Sequence, residues 1–355
     1  MKIALLSLYL PGSSKIGVGY QVHYLANELV KRGHDVTVFS QSESGPGADY
    51  KLVIVPSGKH LRTFGFAWNL RRYDFSQFDA LHACGDDWFL WGKKRPNHVH
   101  TYMGSLLQET LHAKGFTTKL RLGVMALCEY SSCFLTTRRV AISQDTRHYI
   151  PLAKIIIPCG VDLSAFSSSP ISEKTEFPTI LFVGTLAGRK RGAMLLKMFE
   201  EEIRPQIPNC RLWAVCEEKI ESEGVDWMGR IPLEQLTDLY RRAWVFCLPS
   251  TYEGFGVPYI EAMASGTPVV AHPNPGAREV TQNGASGLLA EDDKLVSELI
   301  RVLRDETLRA DLREKGLQRS QDFGWDTVCA QYETLYRGET LPFKNQPSQT
   351  PAQNI

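Results

Sequence analysis

The stretch Glu253-Gly254-Phe255-Gly256-Val257-Pro258-Tyr259-Ile260-Glu261 follows an apolar run and precedes a helical pattern in a chain of 355 residues. Pro258 suits the first turn of a helix, where its missing N–H breaks no hydrogen bond, and Gly266 suits the far end. Gly254 and Gly256 leave the backbone bare, so a ligand can approach their amide hydrogens closely. The stretch therefore predicts a tight turn from a strand into a helix.

Such a turn suits a particular ligand chemistry. The first turn of a helix has unpaired amides and the positive end of the helix dipole, which together favour an anion such as a diphosphate. Glu253 and Glu261 flank these amides, and carboxylates accept hydrogen bonds from the hydroxyls of a sugar or ribose. The alternative interpretation is a packing turn with a solvated glutamate on each side, since glycine turns before helices also serve packing.

Strand-like and helix-like segments alternate on both sides of this stretch. Ile3–Leu8 is a continuous apolar run, a helical pattern follows up to Gly33, and Val36–Phe39 is the next strand. The same pattern restarts at Thr179–Val183. Further predicted strands are Lys51–Pro56, Ala80–Ala83, His98–Thr101, Arg139–Ile142, Lys154–Ile157, Arg211–Val215, Trp244–Leu248 and Thr267–Ala271. The pattern predicts an α/β protein of two doubly wound, Rossmann-like domains that face a central ligand cleft.

Domain boundaries follow from composition. We predict a first domain over 1–165 and a linker over 166–178, where Ser, Pro, Glu and Lys dominate without periodicity. The second domain spans 179–324 and a last helix spans 325–340. The tail 341–355 is rich in Pro, Gln, Ser and Asn, so we expect it to be disordered.

Bulk composition excludes several classes of protein. A hydrophobic fraction of 43% with 22% charged residues is typical of a folded chain, and a net charge of +1 argues against nucleic-acid partners. The eight scattered cysteines are expected to be reduced thiols, because none forms a Cys-x-x-Cys pair. The longest apolar run at the start is too short to span a bilayer. These features predict a cytoplasmic protein.

A second anion-binding segment is Gly184-Thr185-Leu186-Ala187-Gly188-Arg189-Lys190-Arg191-Gly192, which also joins a predicted strand to a helix. Three consecutive cations there would bind a diphosphate. A solvated basic loop is the alternative. By contrast, Gly17-Val18-Gly19 is not a dinucleotide fingerprint, because Val22 stands at the third glycine position, which argues against a nicotinamide-dependent dehydrogenase.

The spacing of Glu253 and Glu261 resembles the signature of family four of the glycosyltransferases, which have the GT-B fold. Other segments follow the family's pattern in order: Pro158–Asp162, Gly229-Arg230-Ile231, Leu236, Leu239-Tyr240, Pro249-Ser250, Ala262–Ala271, Arg278–Val280 and Asn283–Leu289. The resemblance covers nearly the whole chain and is strongest over 229–289. It implies a retaining hexosyltransferase that moves a sugar from a nucleotide-diphosphate sugar to an acceptor hydroxyl.

The resemblance also implies roles for residues. Glu253 would lie near the transferred sugar, Glu261 would bind the ribose, and the backbone of Arg230 and Ile231 would meet the base. The remaining donor contacts would be Gly17, Gly19, Gly184, Thr185, Lys190, Gly254, Phe255, Gly256 and Val257. The leaving phosphate would take the acceptor's proton. No cofactor or metal is expected, the donor would be a UDP- or GDP-sugar, and the last helix would cross back to the first domain.

Two positions depart from the family's pattern. Thr185 stands where the family has an arginine, and Arg191 stands where it has a lysine. Arg189 or Lys190 could supply the missing charge, so the predicted catalytic set is Arg191, Arg189 and Glu253. Two alternatives stay open: a nucleotide-sugar-binding protein with weak or no turnover, and a nucleotide-sugar epimerase of the same fold.

Acceptor contacts are predicted at the ends of strands in the first domain. They are His82, Asp86, Trp88 and Met103, and Met103 replaces a histidine of the family's pattern. Trp88 and Trp91 could stack on a sugar, although packing beneath a loop is an equal alternative. His98 and His100 share one strand face and favour a packed role. Lys114, Lys119 and Arg121 precede the apolar run 124–127, for which domain packing is favoured over contact with the inner membrane surface.

Overall fold

The computed structural model describes residues 1–12, 17–58, 61–113, 115–168 and 173–341. Within these, the chain forms two compact units. The first contains Met1–Gly160 together with the described residues from Val328 onward, and the second is Val161–Thr327. The predicted disorder of 342–355 and the predicted role of Lys114 lie outside the described residues.

The first unit is built on a parallel sheet. In the described residues it has seven strands: β1 (Lys2–Leu6), β2 (Asp35–Ser40), β3 (Lys51–Ile54), β4 (Ala80–Ala83), β5 (Asn97–Tyr102), β6 (Arg138–Ala141) and β7 (Ile155–Ile156). Their order is β3-β2-β1-β4-β5-β6-β7. The helices are α1 (Gly17–Lys31), α2 (Arg62–Asn69), α3 (Leu106–His112), α4 (Phe116–Leu135) and α5 (Gln144–Tyr149). β1 is buried from Ile3 onward, as its continuous apolar run predicts.

The second unit repeats this architecture. In its described residues the strands are β8 (Thr179–Val183), β9 (Arg211–Val215), β10 (Val225–Trp227), β11 (Val245–Leu248), β12 (Val269–Ala271) and β13 (Leu288–Leu289). They pair in parallel in the order β10-β9-β8-β11-β12-β13. The helices are α6 (Gly192–Met198), α7 (Arg204–Gln206), α8 (Leu233–Arg242), α9 (Val257–Ala264), α10 (Pro275–Val280), α11 (Asp292–Arg304) and α12 (Glu306–Ser320). The sequence did not predict β10 and β13, which have only three and two residues.

The strand order explains where ligands can bind in each unit. The chain runs outward from β1 on one side and then returns to place β4 on the other side, and it does the same around β8 and β11. In such sheets ligands bind beyond the carboxyl ends of the strands at this reversal. In the second unit, β8 leads into Gly184–Gly192 and β11 leads into 249–256. Both predicted anion-binding segments therefore lie at one edge of one sheet.

The described part of the predicted linker packs on the second unit. Lys174 donates to the Ala243 carbonyl (2.7 Å) and to the Thr267 hydroxyl (2.8 Å), and the Thr175 amide donates to the Arg242 carbonyl (3.1 Å). The first unit also ends at Gly160 and not at residue 165. Its polar composition predicted a linker between the two domains. In the structure, however, its side chains and amides form hydrogen bonds with the rest of the second unit.

The last helix, α13 (Trp325–Tyr336), belongs to the first unit from Val328 onward. Glu333 accepts from Arg32 (2.8 Å) and lies 2.9 Å from the His34 ring, and these partners hold the pKa of Glu333 at about 2.

None of the eight cysteines, all in described residues, forms a disulfide. Among the described helices, none combines the length and the apolar character needed to cross a bilayer.

Candidate functional site

The turn between β11 and α9 requires a glycine at 256. Gly256 has a φ of 98°, and a Cβ there would lie 2.5 Å from the Tyr259 ring. The α9 helix begins directly afterwards with Val257 and Pro258. The amides of its first turn are therefore presented at the carboxyl edge of the sheet, as the sequence predicts for this stretch.

Asn274 holds this turn in place. Its buried amide donates to the Ser250 carbonyl (2.9 Å) and to the Tyr259 hydroxyl (3.0 Å), and its oxygen accepts from the Ala277 amide (2.9 Å). One side chain thus joins the end of β11, the α9 helix and the start of α10. Sequence reasoning did not select Asn274. The available signal was an asparagine after a strand and before Pro-Gly, which is an N-cap pattern.

Gly276 lies directly against the same turn. Its amide donates to the Glu253 carbonyl (2.9 Å), and an added Cβ would lie 2.4 Å from the Phe255 carbonyl oxygen. Because backbone cannot move aside as a flexible side chain can, the turn itself would have to shift.

We therefore expect Gly276→Ala to lower the free energy of unfolding by about 1–3 kcal/mol, as overpacked sites do. Urea unfolding at pH 7 measures this. Gly65→Ala is the matched control, because it lies in α2 with its nearest contact at 3.6 Å and an alanine there favours the helix. Equal stability of the Gly276→Ala chain and the unmodified chain would show that the turn is loosely packed.

The Glu253 carboxylate is buried between two cations. One oxygen lies 2.9 Å from an Arg189 guanidinium nitrogen and the other lies 2.7 Å from Lys190 Nζ. Glu253 is 7% exposed at its side chain, Lys190 18% and Arg189 52%. The first two predicted cations of 189–191 therefore meet the first predicted carboxylate, and the cluster combines positive charge with acceptor oxygens beside the α9 amides.

Arg191 is oriented differently from its two neighbours. Its backbone is left-handed (φ 53°), its Nε donates to the Pro249 carbonyl (2.6 Å), and its Nη1 donates to Asp292 (2.7 Å). The Nη2 atom is buried and makes no hydrogen bond within the described residues. Arg191 thus joins the end of β11 to the start of α11 and retains one buried donor.

Thr185 supplies no charge to this edge. Its hydroxyl donates to the Ala187 carbonyl (2.9 Å) and so closes its own turn. Gly184 and Gly192 pack on the Phe182 ring, where a Cβ at Gly192 would lie 2.6 Å away. The glycines of this loop therefore allow close packing on Phe182, and the positive charge of the loop comes from residues 189–191.

Glu261 lies in the second turn of α9, after the turn that presents the amides. The Tyr240 hydroxyl donates to its carboxylate (3.0 Å). Burial raises the pKa of Glu261 to about 7, although Tyr240 and Lys190 act in the opposite direction. A carboxyl group with this pKa can both accept and donate hydrogen bonds near neutral pH, which suits a pair of hydroxyls.

The other predicted donor contacts lie on separate elements of the two units. Arg230 pairs with Glu217 and is half exposed beside Ile231, after the β10 strand. Phe255 is buried against Phe323 at a ring distance of 5.7 Å, so its side chain packs and only its backbone is available. In the first unit, Gly17 and Gly19 lie in the first turn of α1, where a Cβ at Gly19 would be 3.0 Å from the Tyr9 carbonyl.

Two predicted acceptor contacts are corrected by the structure. His82 is fully buried, with its ring 2.7 Å from the Tyr336 hydroxyl and 2.8 Å from the Thr101 hydroxyl, so it packs under α13. Trp88 is 3% exposed and lies edge-on to Phe64. His82 lies in β4 and Trp88 follows it, but both side chains are buried in the core.

The remaining predicted acceptor residues, Asp86 and Met103, are partly exposed at the carboxyl edge. Asp86 has a left-handed backbone (φ 62°). Burial and the neighbouring Asp87 raise the pKa of Asp86 to about 7. These two residues stay predicted acceptor contacts.

A buried charged cluster fixes this edge of the first unit. The Asp87 carboxylate lies 2.9 Å from His98 Nε2 and 3.0 Å from His100 Nδ1, and it accepts from Ser132 (2.5 Å). Burial alone would raise the pKa of Asp87, but the two histidines outweigh it and hold that pKa far below its ordinary value. The packed role favoured for His98 and His100 agrees with this arrangement. Within the described residues, no group of three His, Cys, Asp or Glu is placed to hold a metal ion.

Comparison with known families accounts for both units. Residues 16–165 match the family model described as Glycosyltransferase Family 4, and residues 166–319 match Glycosyl transferases group 1. The chain belongs to glycosyltransferase family 4. The predicted GT-B fold of this glycosyltransferase is confirmed by its two parallel-sheet domains and its structural neighbours.

Individual relatives of this glycosyltransferase are distant. O-antigen chain mannosyltransferase B of Escherichia coli is 27% identical over 66% of this chain, and the match covers 64% of that protein. Phosphatidyl-myo-inositol mannosyltransferase of Mycolicibacterium smegmatis is 26% identical over 90% of this chain and 89% of its own length. The structure of Anabaena Alr3699/HepE in complex with UDP-glucose superposes with a TM-score of 0.74 at 18% identity, over 95% of this chain and 100% of that one.

Proposed function

We propose that this glycosyltransferase binds a nucleotide-diphosphate sugar at the carboxyl edge of the second unit and transfers the sugar, with retention, to an acceptor hydroxyl. The observation that carries the proposal is the buried Glu253 carboxylate between Arg189 and Lys190, beside the first turn of α9. That cluster offers cations and amides for a diphosphate and a carboxylate for sugar hydroxyls in one place.

Each group then has a separate task. The amides of Gly254–Val257 and the Lys190 ammonium would bind the diphosphate, Glu253 would accept from the transferred sugar, and Glu261 would accept from the ribose. As the bond to the sugar breaks, negative charge grows on the diphosphate, and fixed cations and amides stabilise that charge most in the transition state. The leaving phosphate would take the acceptor's proton, so no separate base is required.

The donor we propose is a UDP- or GDP-sugar. The structural neighbour with UDP-glucose supports a nucleotide sugar in this fold, and two relatives named as mannosyltransferases support a hexose. The base would meet the backbone near Arg230 and Ile231, where side chains contribute little to its selection.

Nucleoside diphosphates test the proposal directly on the full chain. At 100 times its dissociation constant, the correct diphosphate should add about 2.7 kcal/mol to the free energy of unfolding and raise the melting temperature. Uridine, guanosine, adenosine and thymidine diphosphates form the panel.

We expect Lys190→Met to weaken binding of the active diphosphate about 10- to 100-fold, since hydrogen bonds to charged groups contribute about 1.5–3 kcal/mol. Lys197→Met on α6 is the matched control, because Lys197 is 71% exposed.

A panel without any shift in melting temperature would overturn donor binding, and unchanged binding by the Lys190→Met chain would remove Lys190 from the site.

A second candidate function, binding without turnover, is favoured by one observation: the Thr185 hydroxyl closes its own turn where the family has an arginine. Incubation of the stabilising donor with pure protein separates the candidates. Transfer or hydrolysis supports a transferase, an epimerised donor indicates an epimerase, and an unchanged donor supports the binding protein.

A further inference from the structure

The Asp292 carboxylate links the ends of several strands of the second sheet. Its Oδ2 atom lies 2.7 Å from Arg191 Nη1, and its Oδ1 atom lies 3.2 Å from His272 Nδ1. Arg191 comes between β8 and α6, His272 directly follows β12, and Asp292 begins α11 after β13. Because these strands are parallel, their carboxyl ends meet at one edge, which is the edge that carries the proposed donor site.

Arg191 extends this link to a fourth strand. Its Nε donates to the carbonyl of Pro249 (2.6 Å), which directly follows β11. The Arg191 side chain is only 18% exposed, whereas Asp292 is 49% exposed. The hydrogen bond from Arg191 holds the pKa of Asp292 below its ordinary value, so the carboxylate is ionised at neutral pH. Arg191 and Asp292 thus form a charged pair in which one partner is largely covered.

The backbone of Arg191 needs such contacts. Its φ of 53° and ψ of 35° are left-handed, a conformation that is strained for a residue with a side chain. Strained backbone persists where the surrounding structure determines it. The contacts of the Arg191 side chain with Pro249 and Asp292 supply that support.

This strained residue directly follows the cations of the proposed donor site. A 3₁₀ turn covers Gly188–Lys190, and Arg191 ends that turn and precedes α6. The last two residues of the turn, Arg189 and Lys190, pair with Glu253 at 2.9 Å and 2.7 Å. The conformation of Arg191 therefore helps to set the direction in which both side chains leave the backbone.

We propose that Asp292 is a positioning residue of the donor site. It holds Arg191, and through Arg191 it fixes the turn that directs Lys190 towards Glu253 and the diphosphate. The inference rests on the proposed function, because it assigns Asp292 to the same site. Asp292 acts through Arg191 and needs no contact with the donor.

Replacement of this carboxylate by its amide tests the role. Asp292→Asn should weaken binding of uridine or guanosine diphosphate, whichever stabilises the unmodified chain, about tenfold, because a charged contact to the diphosphate is misplaced but not removed. Titration calorimetry measures this. Asp293→Asn is the matched control, since it removes the same charge from the same first turn of α11 at an exposed position and should bind as the unmodified chain does.

A second measurement requires no ligand. In the Asp292→Asn chain, the backbone amides of 188–195 should exchange with solvent faster than in the Asp293→Asn chain, because the turn has lost its anchor. Since Asp292 is half exposed, both variants should stay folded, and thermal melting checks this. A merely structural role would lower the melting temperature and leave the affinity for the diphosphate unchanged.

A double-mutant cycle tests whether Asp292 acts through Arg191. Arg191→Gly permits the left-handed backbone without strain and leaves no side chain for Asp292 to hold. In the Arg191→Gly chain, Asp292→Asn should therefore cause no further loss of diphosphate affinity. A tenfold loss in that background as well would show that Asp292 acts by another route and would overturn the proposal.

The remaining outcomes separate this proposal from the proposed function. Unchanged amide exchange, unchanged affinity in the Asp292→Asn chain, or an equal loss of affinity in the Asp293→Asn control each contradicts the role of Asp292 alone. An unmodified chain that binds neither diphosphate contradicts donor binding itself, and the role of Asp292 falls with it.

Discussion

Glu253→Gln should lower the turnover of sugar transfer by roughly 100- to 1,000-fold, the usual cost of disturbing one fixed polar contact in a transition state, because Glu253 both contacts the sugar and positions the cations. Glutamine has nearly the same shape as glutamate, so the turn and the start of α9 should keep their geometry. It has no negative charge, however, so Arg189 and Lys190 lose the anion that they share, and one of the two acceptor oxygens becomes an NH2 donor. Steady-state transfer with the stabilising nucleotide sugar measures this.

The same variant separates roles within the site. Glu253 is proposed to contact the sugar and not the nucleotide, so the nucleoside diphosphate should still raise the melting temperature of the Glu253→Gln chain. Glu201→Gln is the matched control, since Glu201 is 61% exposed and pairs with Lys197 at 3.8 Å on the helix surface. A folded Glu253→Gln chain with near-normal turnover would remove Glu253 from the proposed chemistry.

The second large effect concerns stability. Asp87→Ala should lower the free energy of unfolding by about 3–5 kcal/mol, because it leaves His98 and His100 buried without their shared carboxylate. Chemical unfolding at pH 7 measures the difference. Asp311→Ala is the control, as Asp311 is half exposed and pairs with Lys315 on the helix surface, where such pairs contribute at most about 1 kcal/mol.

The effect of Asp87 should depend on pH with a defined sign. Its pKa in the folded chain is depressed far below the ordinary value of 3.8, so its contribution is present above about pH 4 and decreases as the pH falls below that value. The difference between the unmodified chain and Asp87→Ala should therefore be greatest near neutral pH and smaller at pH values below about 4. An equal difference at pH 7 and at acid pH would show that the ionised carboxylate is not what stabilises the cluster.

Some features of the site could be predicted because they depend on local chemistry. The glycine at 256, the proline at the helix start and the two flanking glutamates act over a few neighbouring residues, so their spacing alone predicted the turn and the start of the helix. The same holds for continuous apolar runs such as Ile3–Leu8, whose burial on both faces leaves a clear sequence pattern. Strands of two or three residues, such as β13, carry no such pattern.

Other features depend on which segments meet, and no local pattern reports that. His82 lies near the carboxyl end of β4 and Trp88 follows that strand, yet Tyr336 of α13 contacts His82 and Phe64 packs on Trp88. Asn274 contacts Ser250 and Tyr259, which lie 24 and 15 residues away. The three cations of 189–191 look equivalent in sequence. In the structure, Arg191 has a left-handed backbone and its side chain pairs with Asp292. Arg189 and Lys190 pair with Glu253 instead.

The sequence by itself thus determined the fold class, the family resemblance and the turn at Glu253–Glu261, because strand burial, helix capping and glycine conformation are properties of neighbouring residues. Tertiary structure alone decided which side chains stay accessible. It buried the predicted acceptor histidine and placed Lys190 at the Glu253 carboxylate. It also left Val124 and Leu127 of α4 exposed to solvent, so the domain packing predicted for 124–127 is wrong for these two residues. The physical reason is that burial and ion pairing depend on the packing of distant segments, which bring together groups that no sequence spacing relates.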